Sequence, residues 1–321
     1  MTSVTHLDPA MRDVWADTLC EIMLDDPRVL LLDGDLANST RAETVAQRFP
    51  ERFLEMGIAE QNMAGVAAGL ATVGFIPWLS SFAVFLAERD LDQVRMTIAQ
   101  TKLPVKLGAA YSGLLTGYTG KTHQSVEDIA IMRAMPNMTV IAPGDAEECR
   151  QAMRVATDLP GPVYFRLTRD PSPAIFGPDY RFEVGKGAFV RNGRDVALIS
   201  TGVQTTRVLQ AADLLAKEGI EATVLHLPTI KPLDSHAIVL AAERTGAVVT
   251  AEDHSIVGGL GGAVAEVLSE LRPTRMRRVG IRDTFGESAS NDDLLEKYGL
   301  TAHHVARAGR ELLGVLRSRS T

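Results

Sequence analysis

The sequence predicts an α/β protein with two domains, each built on a mostly parallel β-sheet covered by helices. Short β-rich runs alternate with amphipathic stretches along the whole chain, and this alternation is typical of parallel sheets flanked by helices. The length of 321 residues suits two domains, since one domain takes about 150 residues. A stretch rich in Pro and Gly at 170–182 separates the two series. We therefore predict one domain at 1–175 and a second, smaller one at 185–321.

The first series has recognisable helix starts. Asp8 and Pro9 are typical of a helix N-terminus, as a capping acid and a first-turn proline, so a helix is predicted from there to about Leu24. Asp145 is the expected cap of another helix. The predicted strands of this series are 29–36, 52–56, 76–81, 104–114, 138–143 and 162–169, and its other predicted helices are 42–49, 59–74, 82–102, 125–135 and 145–159.

The second series repeats the alternation over a shorter length. Gly219 is the expected stop of its first helix, because glycine is favoured just past a helix end. The predicted strands are 194–202, 221–228, 247–255 and 275–283, and the predicted helices are 204–219, 258–271 and two more at the end of the chain. Parallel sheets bind ligands at the carboxyl ends of their strands, so we expect functional residues directly after these strands.

Charge and composition exclude several classes of function. The net charge is −7 with a pI of about 5.6, aromatic residues make up 5%, and no run of Lys or Arg exceeds two, so a nucleic-acid binder is not expected. No apolar run is long enough to span a membrane, and the first 25 residues lack the pattern of a signal peptide. Cys20 and Cys149 are too far apart for a metal motif. We expect a cytoplasmic enzyme or assembly subunit without membrane association.

Glu60 opens an Ala- and Gly-rich helix that follows a buried strand. An acid in the first turn is commonly favoured by the helix dipole alone, so its position has a purely structural explanation. The small residues of this helix, however, allow another helix to pack closely, which predicts that this end lies at an interface. They are Ala64, Gly65, Ala67, Ala68, Gly69 and Ala71.

A Gly-rich loop at 117–124 carries His123 and precedes a helix. Such a loop suits contact with a polar ligand, and it is equally compatible with a surface loop that ends in a capping residue. It lacks the spacing of a phosphate-binding Walker A loop.

Three other patterns favour structure over function. Asp33 and Asp35 flank Gly34 as turn formers, and no further calcium-loop positions follow. The Gly-rich segment 258–262 lacks the dinucleotide-binding spacing and is interpreted as a close-packed helix start. His303 and His304 have no ligand partner nearby in sequence. No metal site is predicted in this chain.

Six segments together resemble the C-terminal half of transketolase, and the resemblance covers nearly the whole chain. The first domain resembles the pyrimidine-binding domain of that family, and the second resembles its C-terminal domain. The segments are LDGDLANST, MGIAEQNMAGVAAGLA, SSFAVFLAERDLDQVR, THQSVEDIAIMRAMPNMTVIAP, VYFRLTR and AEDHSIVGGLGGAVAE. The resemblance implies transfer of a two-carbon ketol unit from a ketose, a sugar phosphate or other anionic sugar, to an aldose.

The resemblance also implies a thiamine diphosphate site at the end of the first domain. Glu60 matches the glutamate that hydrogen-bonds N1′ of the aminopyrimidine and so takes part in acid–base chemistry. Phe82 and Phe85 match aromatic residues around the pyrimidine ring. Helical spacing from Phe82 to Arg89 would put both rings and the guanidinium near one face. Asp35 matches an acid near the cofactor.

The sugar-binding residues follow from the same resemblance. His123 matches a histidine near the reacting sugar hydroxyls. Arg12, Ser39 and Arg169 match positions that hold the phosphate of the substrate, a task that suits a guanidinium fork.

Two positions depart from the family pattern. Thr119 stands four residues before His123, where the family has an acid that contacts the C2 hydroxyl of the donor. Tyr111 aligns with a phosphate-contacting histidine. Both departures predict an unusual sugar, with a different anion or stereochemistry.

A larger departure concerns the diphosphate and Mg²⁺ sites, which transketolases build from GDG and a later Asn pair. Neither pattern occurs in the 321 residues. The resemblance is therefore to the C-terminal subunit of a two-component transketolase. We expect an N-terminal partner subunit that carries the GDG…NN site and holds Mg²⁺, a chain that is catalytically silent alone, and a symmetric dimer of heterodimers.

Two alternatives share the domain pair. One is a β subunit of a 2-oxoacid dehydrogenase or decarboxylase, in which GIAEQ also occurs, although THQSVED and the LTR at 167–169 favour transketolase. Another is a non-catalytic, partner-binding subunit, against which Glu60 and the two phenylalanines argue. The similar 1-deoxyxylulose-phosphate synthases keep all their domains in one chain.

Overall fold

Two β-sheets of seven and five strands organise the protein, and the computed structural model describes residues 9–314. The strands are β1 (Val29–Asp33), β2 (Phe53–Glu55), β3 (Ile76–Phe82), β4 (Lys106–Ala110), β5 (Thr139–Ile141), β6 (Val163–Arg166), β7 (Ala188–Arg191), β8 (Val196–Ser200), β9 (Ala222–His226), β10 (Thr229–Lys231), β11 (Ala247–Ser255) and β12 (Arg275–Ile281). Both sheets are mostly parallel and carry helices, which confirms the predicted fold class.

The helices alternate with these strands. They are α1 (Met11–Asp25), α2 (Ala37–Thr40), α3 (Glu43–Arg48), α4 (Glu60–Thr72), α5 (Leu91–Gln93), α6 (Asp128–Ala134), α7 (Ala146–Asp158), α8 (Gln204–Ala216), α9 (Ser235–Thr245), α10 (Leu260–Leu271), α11 (Asn291–Lys297) and α12 (Ala302–Leu313). Two π-helical segments, Phe85–Arg89 and Val94–Ala99, flank α5.

The larger sheet has the strand order β10-β5-β6-β4-β3-β1-β2. Strands β1, β3 and β4 lie at its centre and are buried along their whole length. Asp33 pairs in register with Ser80, and Phe82 pairs with Ala110. The carboxyl ends of the three strands therefore share one edge of the sheet, the edge at which parallel sheets bind ligands.

The smaller sheet has the order β12-β11-β8-β9-β7, with β7 antiparallel at one edge. β10 follows β9 in the chain but pairs antiparallel with β5 of the larger sheet. Arg166 at the end of β6 also donates to the Asp253 carbonyl in β11 at 3.0 Å and pairs with Asp128 in α6. The pairing of β10 with β5 and the hydrogen bond from Arg166 to the Asp253 carbonyl thus join the two halves, while the buried Arg166–Asp128 ion pair lies within the first.

Two local predictions are wrong. Helix α1 begins at Met11 after Ala10, which provides no side-chain cap, so Pro9 precedes the helix; Asp8 lies outside the described residues. The long helix predicted at 82–102 is interrupted: Phe82 ends β3, and the two π-helical segments replace regular α-helix. π-helical turns, in which each hydrogen bond spans one residue more than in an α-helix, often occur at functional sites. By contrast, the cap at Asp145 is confirmed, since its carboxylate accepts from the Glu148 N–H at 2.9 Å.

Candidate functional site

Glu60 is the centre of the site at the carboxyl edge of the larger sheet. It is the first residue of α4, and its side chain is only 1% exposed. Its Oε1 accepts a hydrogen bond from Ser81 Oγ at 2.9 Å, and its Oε2 accepts one from Arg89 Nη1 at 2.7 Å. Gly34, just past β1, lies beside the acid: a methyl group there would be in ordinary contact, 3.4 Å from Ser81 Oγ and 3.5 Å from Glu60 Oε1.

Arg89 is the cation that balances this buried charge. Its guanidinium lies 4.0 Å from the ring centre of Phe85 and donates to Glu60 from the end of the first π-helical segment. A buried carboxylate is costly without such a partner. The Arg89 side chain is 39% exposed, so it reaches Glu60 from the solvent side.

An aromatic wall stands beside the acid. The ring of Phe82 stacks on Tyr111 at 4.2 Å between centres and on Phe85 at 5.9 Å. The imidazole of His123 meets Phe82 and Phe85 edge-on at 5.7 and 5.6 Å. Helical spacing was expected to bring Phe82 and Phe85 together, whereas the structure places Phe82 at the end of β3 and Phe85 in the π-helical segment, and adds Tyr111 and His123 from two loops.

Two guanidinium groups lie around Tyr111. Arg12 Nη1 donates to the Tyr111 hydroxyl at 3.0 Å and to the Ser39 carbonyl at 3.1 Å. The Arg169 guanidinium lies 5.5 Å from the centre of the Tyr111 ring. Tyr111 has a φ of +60°, a conformation that is uncommon for a bulky residue and often found at functional sites. The arrangement provides a positive surface for an anionic group.

Two buried carboxyl groups near the site were missed by sequence reasoning. Burial raises the pKa of Asp33 from 3.8 to about 6, although its Oδ2 accepts from the Leu36 N–H at 2.7 Å. Burial also raises the pKa of Asp90 well above its usual value, and the nearby charge of Glu60 adds to this rise. Asp90 makes no side-chain hydrogen bond within residues 9–314. Ser81 was missed too. Asp33 and Ser81 could have been found as polar residues at the end of a buried strand, whereas no such signal marks Asp90.

Asp35 and Thr119 are placed at the margin. Asp35 lies exposed on a turn with a φ of +62°, and its N–H donates to Glu55 Oε1 at 3.1 Å. Thr119 is exposed on a short 3₁₀ turn and hydrogen-bonds the Thr116 hydroxyl at 2.6 Å. Neither side chain contacts Glu60.

The assembled groups define what the site can do. A buried acid can hold or transfer a proton, the aromatic wall can pack against a flat ring, and the two guanidinium groups can bind an anion. Over residues 9–314, no three His, Cys, Asp or Glu side chains are arranged to hold a metal ion. None of the helices in the same range has the length and hydropathy needed to cross a membrane.

Comparison with known families gives two matches that together span most of the chain. The profile described as the pyrimidine-binding domain of transketolase matches residues 8–173. The profile described as the transketolase C-terminal domain matches residues 185–305.

Individual relatives agree with these profiles. The chain is 43% identical over 302 residues to the 6-deoxy-6-sulfo-D-fructose transketolase subunit of Clostridium sp. strain MSTE9, covering 94% of each chain. It is 35% identical over 305 residues to an apulose-4-phosphate transketolase subunit of Phocaeicola vulgatus, covering 95% of this chain and 97% of that protein. A solved structure described as a split gene transketolase in an inactive beta4 tetramer has a TM-score of 0.90 and 47% identity, covering 97% of this chain and all of that one.

Proposed function

Because the chain belongs to the transketolase family, as a C-terminal subunit of the split, two-component type, we propose that it holds the pyrimidine end of thiamine diphosphate. With an N-terminal subunit, it would transfer a two-carbon ketol unit from an anionic ketose to an aldose. The chain is one component of a transferase. The single observation that carries the proposal is the buried Glu60 carboxylate beside an aromatic wall at the carboxyl edge of the sheet.

The residues present fit the aminopyrimidine ring. A flat heterocycle can pack on the aromatic wall of Phe82 and Phe85. A methyl group at Gly34 would already touch Ser81 and Glu60, so a larger side chain there would fill the space next to the Glu60 carboxylate. The cofactor supplies the electron sink for the reaction.

Glu60 is proposed to exchange a proton with N1′ of the pyrimidine. Ser81 orients the carboxylate through Oε1, which leaves Oε2 as the oxygen that faces a ligand. In this structure Arg89 occupies Oε2. We propose that Arg89 releases this oxygen when the pyrimidine arrives, which its partial exposure allows, and that it then remains beside the ring.

The substrate is proposed to be a ketose that carries an anionic group. Arg12 and Arg169 would bind that group on either side of Tyr111, near Ser39. His123 would contact a sugar hydroxyl. The names of the two relatives above specify a sulfonated and a phosphorylated sugar, which supports an anionic substrate.

Thr119 is proposed to contact the donor with a neutral hydroxyl. A neutral hydroxyl can both donate and accept hydrogen bonds, whereas an ionised carboxylate only accepts them. The donor preference should therefore differ from that of family members with an acid at this position.

The diphosphate and Mg²⁺ are proposed to be held by an N-terminal partner subunit with the GDG…NN pattern. The exposed face of α4 supports a large assembly: Gly65 and Gly69 lie on it one turn apart, and a methyl group at either would touch nothing within 4 Å. Ile58, just before α4, is 74% exposed. We propose that this face mediates self-association into a symmetric dimer of heterodimers. The free, buried Cys20 and Cys149 agree with a reducing cytoplasm.

Co-expression tests this function. The chain would be produced with the product of a neighbouring reading frame that contains GDG and an Asn pair, and a panel of ketoses would be screened for aldehyde release. We expect turnover by the pair with thiamine diphosphate and Mg²⁺, and none by either subunit alone. Failure of the co-purified pair to release an aldehyde from any ketose would contradict the proposal.

A further inference from the structure

A large cleft lies apart from the Glu60 site, between the segment that joins the two domains and the second domain. Its volume is about 890 Å³, within the range of small-molecule sites. Thr168, Ser172 and Asp170 form one wall, and residues of α8, α11 and the start of α12 form the others. Its apolar surface comes from Leu115, Pro171, Pro173, Val203, Leu214 and Leu295.

Four polar side-chain atoms of this lining are buried without a hydrogen-bond partner in residues 9–314. They are Thr168 Oγ1, Ser172 Oγ, Thr206 Oγ1 and Asn291 Oδ1. Ser172 and Thr206 are each only 6% exposed. Buried polar groups are nearly always hydrogen-bonded, so these four residues give the lining hydrogen-bonding capacity that the described part of the protein does not use.

Arg207 gives the cleft its charge preference. Within residues 9–314 its guanidinium makes a single side-chain hydrogen bond, a long one of 3.4 Å to Gln204 Oε1. Asp253 and Asp292 attract the Arg207 guanidinium electrostatically without hydrogen-bonding to it. Burial lowers the pKa of Arg207. A half-buried guanidinium without a close carboxylate favours an oxyanion. Lys217 adds a second cation to the lining.

The remaining polar groups suit hydroxyls. Asp292 and Glu296 contribute carboxylates, whereas the other two carboxylates of the lining are already paired: Asp170 accepts from Asn291 Nδ2 at 2.6 Å and Asp213 accepts from Arg191 at 2.7 Å. These acceptors would repel a compact dianion but can bind the hydroxyl groups of a larger ligand. The prolines and leucines can pack on its C–H groups.

We propose that this cleft binds a small polyhydroxylated anion, either a sugar phosphate or a sugar acid, at a site separate from the thiamine site. Asn291 connects the cleft to the Gly-rich loop. Its Oδ1 packs so closely on Gly117 that a methyl group there would lie 2.9 Å away. A ligand that holds Asn291 would thereby restrain the loop that carries Thr119.

Titration calorimetry of the full chain tests the site, with D-ribose 5-phosphate and D-gluconate as probes and neutral D-ribose as the control. We expect at least one anion to bind, and D-ribose to bind at least about tenfold more weakly, which corresponds to about 1.4 kcal/mol. Absence of binding by both anions at about 10 mM, a concentration well above the Kd of ordinary metabolite sites, would overturn the proposal, as would equal binding of D-ribose.

Three variants localise the binding. Arg207→Met keeps the alkyl stem and should weaken binding at least about tenfold. Thr206→Val is nearly isosteric and should weaken it severalfold; it should not lower the Tm of the free chain, since the hydroxyl has no partner to lose. Arg12→Met alters the proposed substrate site and should leave unchanged the binding that depends on Arg207. Binding that survives Arg207→Met and Thr206→Val, or that is lost in Arg12→Met, would refute the assignment.

Discussion

Replacing Glu60 with glutamine removes the ionisable group while preserving the length and shape of the side chain. Ser81 Oγ can still donate to Oε1, where the bond measures 2.9 Å. The bond from Arg89 to Oε2 at 2.7 Å is lost if the amide presents its NH₂ there. Because Arg89 is 39% exposed, water replaces that bond, and we expect a loss of about 1 kcal/mol or less in the free energy of unfolding. The Tm should therefore fall by only about 2 °C.

The effect on catalysis should be far larger. A positioned acid or base contributes about 100- to 10,000-fold to a rate, so kcat for aldehyde release by the reconstituted pair should fall by about that factor. Glu221→Gln is the matched control, because this glutamate is 58% exposed in the second domain, and its activity should equal that of the wild type. Activity of Glu60→Gln within about fivefold of wild type, less than about 1 kcal/mol of barrier, would refute the role of Glu60.

Three further predictions concern assembly, donor choice and pH. Gly65→Leu should block packing on the open face of α4 and shift the chromatographic size to a smaller species, whereas Gly262→Leu, on α10 and equally free of contacts, should leave it unchanged; equal behaviour of the two variants would contradict the interface. Thr119→Asp restores the family acid and should change the ranking of ketose donors by kcat/KM with little effect on stability, because Thr119 is exposed; an unchanged ranking would exclude Thr119 from donor contact. Since burial raises the pKa of Asp33 from 3.8 to about 6, its contribution to the free energy of unfolding is full below pH 3.8 and is lost as the pH rises through about 6. In urea unfolding, Asp33→Asn should therefore gain up to about 3 kcal/mol relative to wild type across that window, and parallel pH profiles of the two proteins would contradict this.

The fold could be predicted because its signals are local. The Asp145 carboxylate caps α7 by accepting from the N–H three residues later, and β11 has the predicted bounds 247–255, whose first half is β-rich and apolar. β10 could not be predicted, because three residues give no period and its pairing with β5 depends on tertiary contact. α9 was missed although Asp234 caps it through the Ala237 N–H, a start signal that was overlooked.

The site was only partly predictable for a related reason. Roles for Glu60, Phe82 and Phe85 could be proposed from the family resemblance. Their contacts depend on side chains that lie far apart in sequence, such as Arg12 and the Tyr111 hydroxyl. The pairing of Arg89 with Glu60 likewise depends on a π-helical segment rather than on the regular helix that was predicted.

Calorimetric titration of thiamine diphosphate in the presence of Mg²⁺, into the chain alone and into the co-purified pair, is the most direct test that this chain is half of a catalyst. We predict tight binding to the pair and weak or absent binding to the isolated chain, whose described residues offer no metal cluster. Tight, Mg²⁺-dependent binding to the isolated chain would contradict the division of the cofactor between two subunits.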